Sequence, residues 1–211
     1  MHITVCDVGL GNLRSVERAL REAARGRSMD VEVTRDPARV SKADRLVMPG
    51  QGGFGDCARA LEGALGDAVR EHVTRGRPYL GICLGLQVLF GSSEEAKGCA
   101  GLGLLAGEVV RLRGGVDTST GGALKIPHVG WNEVVPERAH RGLLAVETEH
   151  FYFVHSYVVV PRDPAVIAGT TEYGSERFVS AVVCENVFAC QFHPEKSQRA
   201  GLALLGRFLA S

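Results

Sequence analysis

An excess of charge of one sign, long apolar runs and paired cysteines are all missing from this sequence. Its 24 lysines and arginines are matched by 24 aspartates and glutamates across 211 residues. They are interspersed, so there is no electrostatic footprint for binding nucleic acid or an anionic membrane. No segment approaches the roughly 18 apolar residues of a membrane span, and the N-terminus MHITVCDVG has none of the features of a secretion signal. A cytoplasmic location is expected. The six cysteines (Cys6, Cys57, Cys83, Cys99, Cys184, Cys190) form no CxxC pair, which argues against zinc or a disulfide framework. Phosphate motifs are missing too: GLGNLR, Gly9 to Arg14, opens like a dinucleotide fingerprint but has Arg14 at the third glycine position, and no GxxxxGK[ST] occurs. Neither a cofactor nor a metal is expected.

What is present reads as an α/β chain. HITVCDV is an apolar run that ends at GLGN and leads into a helical pattern with Leu13, Val16, Leu20 and Ala23 on one face. VEVT and RLVMP read as further short strands. A second helix carrying Leu61, Leu65, Ala68 and Val69 runs to about Arg75, and PYLGI follows. Alternating strands and helices predict a parallel sheet covered on both faces. After about residue 105 the strand-like runs GEVVRL, GWNEVV, FYFVHSYVVV, AVIAGT, FVSAVV and VFACQF follow one another. A final helix, roughly Lys196 to Ala210, places Leu202, Leu205, Phe208 and Leu209 near one stripe. The length fits one generous domain or two small ones, and without a composition shift or internal repeat residues 1–211 read as one. RGGVDTSTGGA, residues 113–123, has no core-forming surface and is expected to be a mobile loop or a plain exposed linker.

Cys6, Cys184 and Cys190 lie in apolar runs, where a free cysteine behaves as a small buried hydrophobe. Cys83 differs. GICLG, Gly81 to Gly85, has the spacing of the G-x-S-x-G nucleophile elbow, with sulfur in place of oxygen. Small neighbours suit a sharp strand-to-helix turn, and the N-terminus of a helix starting near Leu84 favours a thiolate. The alternative is a structural buried cysteine. A thiolate nucleophile needs a base and a group to orient that base. His2, His72 and His140 have no companion that points to chemistry, and an exposed or packed role is expected for each. In QFHPE, Pro194 biases His193 toward extended geometry, so His193 and Glu195 can point to the same side and serve as base and orienting carboxylate. The alternative is a helix-capping glutamate beside a surface histidine.

Taken together, Cys83 and the late His-Pro-Glu run resemble the class I, triad-type glutamine amidotransferases, and the resemblance covers nearly the whole chain. GNLRSVERAL, PGQGGF at 49–54, GICLGLQ at 81–87, KIPHVGWN at 125–132, FYFVHSY at 151–157 and QFHPEKS at 191–197 are similar to the branch formed by the glutaminase subunits of imidazole glycerol phosphate synthase, from histidine biosynthesis. HVGWN and FVHSY discriminate the branch. Two positions depart from it: Val8-Gly9 stands where the family usually reads Tyr-Gly, and Gln51 where it often has Val.

The resemblance implies a single-domain, mostly parallel open sheet flanked by helices with a β-rich second half, and hydrolysis of glutamine to glutamate and ammonia through a Cys83 thioester. Oxyanion donors would come from the N–H of Leu84 and the loop Gly50-Gln51-Gly52. Gln87 and the main chain around His155, Ser156 and Tyr157 would grip the amino-acid end of glutamine. The chain has no second domain to consume ammonia, so the implied partner is a (β/α)₈-barrel cyclase subunit, with Asn12, Trp131, Tyr152 and Lys196 at or near the interface. For Trp131, the single tryptophan, a buried core position is the alternative. The competing functions are a subunit of another amidotransferase, a stand-alone γ-glutamyl hydrolase and a catalytically silent regulatory subunit.

Overall fold

The computed structural model describes residues 1–117, 120–137, 144 and 147–211. His140 therefore lies outside the described residues, as do Thr118 and Ser119 of the 113–123 loop. The first half alternates as the apolar periods predict. Strand β1 (His2–Cys6) leads to helix α1 (Leu13–Ala23), β2 (Asp30–Thr34) to α2 (Pro37–Lys42), and β3 (Arg45–Met48) to α3 (Phe54–Ala60) and α4 (Ala64–Thr74). Strand β4 (Tyr79–Ile82) then runs into the four-residue helix α5 (Leu84–Gln87). Local chemistry sets several boundaries. Asn12 Oδ1 caps α1 by accepting the Ser15 N–H at 3.2 Å, and Asp36 Oδ1 caps α2 ahead of Pro37 by accepting from Ala38 at 2.9 Å.

The second half is a succession of strands: β5 (Gly107–Arg111), β6 (His128–Pro136), β7 (Glu149–His155), β8 (Tyr157–Pro161), β9 (Ile167–Tyr173), β10 (Glu176–Cys184) and β11 (Val187–Cys190). A 3₁₀ turn, Pro194–Lys196, precedes the last helix, α6 (Gln198–Phe208). The strands join in the order β2-β1-β3-β4-β11-β10-β9-β6-β7, with β8 against β10 and β5 against β8. Every pairing from β2 through β11 is parallel, and every pairing beyond it is antiparallel. The sheet is thus mixed. Helical crossovers make the pairings among β1 to β4 parallel, and the two-residue turns after β9 and β10 make the β9–β10 and β10–β11 pairings antiparallel. Val16 and Leu20 of α1 and Leu204, Leu205 and Phe208 of α6 cover one face together with Ile3 and Val5; Val40, Phe54 and Val69 cover the other, against Leu46 and Met48. Among the described residues no helix is long and apolar enough to cross a membrane.

Three expectations change. The helix read through Leu61 to Arg75 is two helices, because Gly63 at φ +71° breaks it and Leu61 closes α3. Leu202 is 36% exposed; the buried stripe of α6 is Gly201, Leu204, Leu205 and Phe208, since a Cβ on Gly201 would strike the Pro194 carbonyl and that face is the one that packs. The described ends of the 113–123 loop are tied down rather than free. Glu176 Oε2 accepts the N–H groups of Arg113 at 3.0 Å and Gly114 at 2.9 Å, and Ser175 Oγ accepts that of Val116 at 3.0 Å. These acceptors sit some sixty positions further along the chain, out of reach of any local reading.

Candidate active site

Parallel pairing of β4 with β11 creates the site. Gly81 lies opposite Ala189 and Ile82 opposite Cys190, so both strands end at one sheet edge and the residues just beyond them, Cys83 and Gln191 to His193, meet. This is the edge where open α/β sheets bind ligands.

The elbow is built by close approach. Cys83 has φ +53° and ψ −103°, a conformation rare for a residue with a side chain. A Cβ on Gly81 would lie 2.5 Å from the Gly85 oxygen and 2.9 Å from Ala189 Cβ, and one on Gly85 would collide with the Met48 carbonyl. Both flanking glycines of GICLG are therefore sterically required. The buried Tyr79 hydroxyl donates to the Gly85 carbonyl at 2.8 Å and clamps the turn. Leu84 opens α5, so its N–H has no intrahelical partner. The Gly50–Gly52 loop packs over it: a Cβ on Gly50 would lie 2.6 Å from that of Leu84, and one on Gly11 would lie 3.0 Å from the Gln51 nitrogen.

His193 is extended (φ −107°, ψ 94°), as the following proline demands. Its Nδ1 lies 2.8 Å from Glu195 Oε1, with the two side chains 1% and 2% exposed. A carboxylate only accepts, so Nδ1 carries the hydrogen and Nε2 faces other work. That nitrogen closes no hydrogen bond among the described residues. Burial lowers the pKa of His193, but the charge of the nearby Cys83 sulfur, followed by the hydrogen bond and charge of Glu195, outweighs it and raises the ring to about 10. The histidine backbone is fixed from β7: its N–H donates to the Tyr152 carbonyl at 2.9 Å, Ser197 Oγ donates to the His193 carbonyl at 2.6 Å, and the Tyr152 N–H donates to Ser197 Oγ at 3.0 Å. The other cysteines have no such setting. Burial pushes the Cys6 and Cys57 thiols up to about 12, and all six cysteines are free.

A cleft of about 340 Å³ opens over Cys83, lined by Gln51, Gly52, Leu84, Gln87, Glu95, Pro127, Val154, His155, Ser156, Tyr157 and Lys196. The sequence matches the family model for class-I glutamine amidotransferases over residues 4–210. The chain belongs to that family. It is also similar over its full length to the proteins named imidazole glycerol phosphate synthase subunit HisH. It is 46% identical to the one from Aromatoleum aromaticum, over 99% of this chain and 97% of that one, and 47% identical to the one from Aquifex aeolicus, over 99% and 96%. With the Pyrococcus furiosus protein it shares 42%, over 98% and 97%. At that identity and coverage it is a member of the HisH family. A crystal structure titled glutamine amidotransferase superposes with a TM-score of 0.73 at 19% identity, covering 99% of this chain and 97% of that one, and shows the same fold.

In this amidotransferase the structure brings Cys83, His193, Glu195, Gln51, Gly52, Leu84, Gln87, His155, Ser156 and Tyr157 to one edge, with Gly50 against Leu84. Trp131 is 47% exposed rather than core. It sits opposite Tyr152 in the β6–β7 ladder with ring centroids 6.3 Å apart, and the Lys196 ammonium lies 5.5 Å from the Tyr152 ring, so the three make one outward patch. Asn12 is exposed on another element, its side chain capping α1. His2, by contrast, bonds Glu32 at 3.2 Å at the start of β1, and His72 is buried with Nε2 3.0 Å from the Pro78 carbonyl.

Three residues without a role in the sequence reading, Glu95, Gln191 and His128, also belong to the site or its surroundings. Glu95 lines the cleft and accepts the Phe54 N–H at 2.7 Å. Gln191, fully buried, donates from Nε2 to Cys83 Sγ at 3.5 Å. His128 and His155 are buried with Nδ1 to Nε2 at 3.0 Å, and burial lowers them to about 4 and about 3. Gln191 stands two residues before His193, so its place in QFHPE was the available signal. For Glu95 no motif exists, because a chain turn alone brings it to the cleft.

Proposed function

We propose that this chain is the glutaminase subunit of an imidazole glycerol phosphate synthase, acting in the cytoplasm to hydrolyse glutamine and to pass ammonia to a cyclase subunit in histidine biosynthesis. One observation carries the reading: a thiol in a strained elbow shares a sheet edge with an imidazole that a buried carboxylate orients. Such a pair suits acyl transfer.

Cys83 acts as nucleophile. Because His193 is raised to about 10, its ring is an imidazolium before substrate arrives. Sulfur attacks the glutamine carboxamide carbon and a C–S bond forms. The oxyanion is met by the Leu84 N–H and by the Gly50-Gln51-Gly52 loop; each such donor contributes roughly 10²- to 10³-fold in rate. His193 gives its proton to the departing nitrogen, the C–N bond breaks and ammonia leaves. Water then gives its proton to His193, and its oxygen displaces Cys83 to release glutamate. Gln87 uses its Nε2 hydrogens on Tyr157 O and Gln191 Oε1, so its own oxygen suits the substrate ammonium, as does the Glu95 carboxylate. The main chain at His155, Ser156 and Tyr157 suits the α-carboxylate end. The Trp131–Tyr152–Lys196 patch and Asn12 face the cyclase.

The test is glutamine hydrolysis by the chain alone, with the cyclase, and with the cyclase plus a nucleotide analogue, comparing the native chain with Cys83→Ala. Hydrolysis is expected to rise with the liganded partner and to vanish in Cys83→Ala, while the assembled complex still forms product from ammonium salts. Retention of a tenth of the activity would remove Cys83 from the mechanism. Equal rates in all three conditions would favour a constitutive hydrolase.

A further inference from the structure

We propose that Gln191 positions the Cys83 sulfur and favours its thiolate, and that the orientation of its amide is dictated by the main-chain carbonyl of Tyr157. A carbonyl only accepts hydrogen bonds. Gln87 Nε2 lies 3.1 Å from the Tyr157 oxygen, so the nitrogen of that amide must point there. The second hydrogen of the same nitrogen goes to Gln191 Oε1, also at 3.1 Å. With its oxygen committed, Gln191 can present only N–H to Cys83 Sγ, at 3.5 Å. Both glutamines are buried, Gln191 completely, so neither amide can turn over without stranding a polar group away from water.

The same carbonyl fixes a second branch. His155 Nδ1 lies 3.1 Å from the Tyr157 oxygen and so carries the hydrogen, leaving Nε2 to accept from His128 Nδ1 at 3.0 Å. His128 Nε2 in turn accepts from Asn132 Nδ2 at 3.3 Å, and that nitrogen also donates to the Glu172 carbonyl at 2.8 Å. The position of every hydrogen from Asn132 to Cys83 follows from one acceptor, and the chain includes Gln87 and Tyr157, which line the cleft. A donor aimed at sulfur interacts more strongly with the anion than with the thiol, so Gln191 lowers the free energy of the thiolate relative to the thiol. The other titratable groups around the sulfur are His193, Glu195 and Cys190, with Glu95, His155, Tyr157 and Lys196 in the cleft; replacing Gln191 leaves all of them in place.

This inference rests on Cys83 as nucleophile but is read without glutamine turnover. The pH dependence of iodoacetamide alkylation at Cys83, followed by mass spectrometry of its peptide in the full chain, reports the thiolate directly. Gln191→Met keeps the length and removes donor and acceptor; Gln191→Glu keeps an acceptor for Gln87 but sets a charge beside the sulfur. Gln191→Met is expected to raise the alkylation midpoint by about one pH unit, a tenfold shift of the thiol–thiolate equilibrium, and Gln191→Glu to raise it further. Glutaminase kcat is expected to fall in step and to recover at alkaline pH. An unchanged midpoint in the variants that fold would overturn the proposal, and so would a raised KM at constant midpoint, which would make Gln191 a substrate contact. Loss of the glutaminase reading itself would appear separately, as hydrolysis surviving in Cys83→Ala.

Discussion

Cys83 occupies a backbone conformation that glycine adopts freely and other residues adopt under strain of about 1 to 3 kcal/mol. The strain is held by the surroundings: Tyr79 clamps the carbonyl of Gly85, and the Cys83 N–H donates to the Cys190 carbonyl at 2.7 Å. Two variants isolate the strain. Both Cys83→Ala and Cys83→Gly lose the thiol, but Cys83→Gly is expected to be the more stable by about 1 kcal/mol, because relief of strain exceeds the roughly 0.5 to 1 kcal/mol entropic cost of glycine. Urea unfolding of the pair decides it. A glycine variant less stable than the alanine variant would mean that the elbow is unstrained.

At the scale of elements, the β6–β7 hairpin has two faces with different tasks. Its inner face carries His128 and Phe153, whose rings stack with centroids 4.9 Å apart, while its outer face leaves Trp131 47% exposed beside Tyr152. A half-exposed ring adds little to the stability of the free chain, yet a large aromatic at the centre of an interface can contribute about 2 kcal/mol or more to binding. Trp131→Ala is accordingly expected to weaken association with the cyclase by that amount in titration calorimetry and to change unfolding stability by less than about 0.5 kcal/mol. A large loss of stability with unchanged affinity would assign the ring to the fold instead.

For the whole molecule, the buried histidines set opposing dependences on pH. His128 and His155 are depressed from 6.5 to about 4 and about 3, chiefly by burial. The unfolded chain binds their protons first, so the stability they contribute is full above pH 6.5 and is lost as pH falls through their folded values. His193 is raised from 6.5 to about 10 against the pull of burial. Its contribution is full below 6.5 and is lost as pH rises through its folded value. Together with His72, which burial also lowers, these groups place a stability maximum near pH 6.5, with an acid limb whose slope reaches at least about two protons between about 6.5 and 5. Urea titrations across that range test it, and a flat profile would mean that the histidine pair is not held neutral.

The sequence by itself singled out Cys83, His193 and Glu195, because each is written in a short local pattern: GICLG needs two glycines where backbones collide, and HPE needs a proline to extend the histidine. It also determined the alternation of strands and helices that makes the first half parallel, and the strand-rich second half. Only the tertiary structure decided what joins these pieces. Pairing of β11 with β4 brings Gln191 and His193 to Cys83 across more than a hundred residues, and neither strand encodes its neighbour. The division of the second helix and the anchoring of the 113–123 loop were decided by glycine conformation and by distant acceptors. The chain from Asn132 to Cys83 was invisible for the same reason. Its order is fixed by which atoms can only accept, and the shared acceptor, the carbonyl of Tyr157, belongs to the main chain, where residue identity carries no signal.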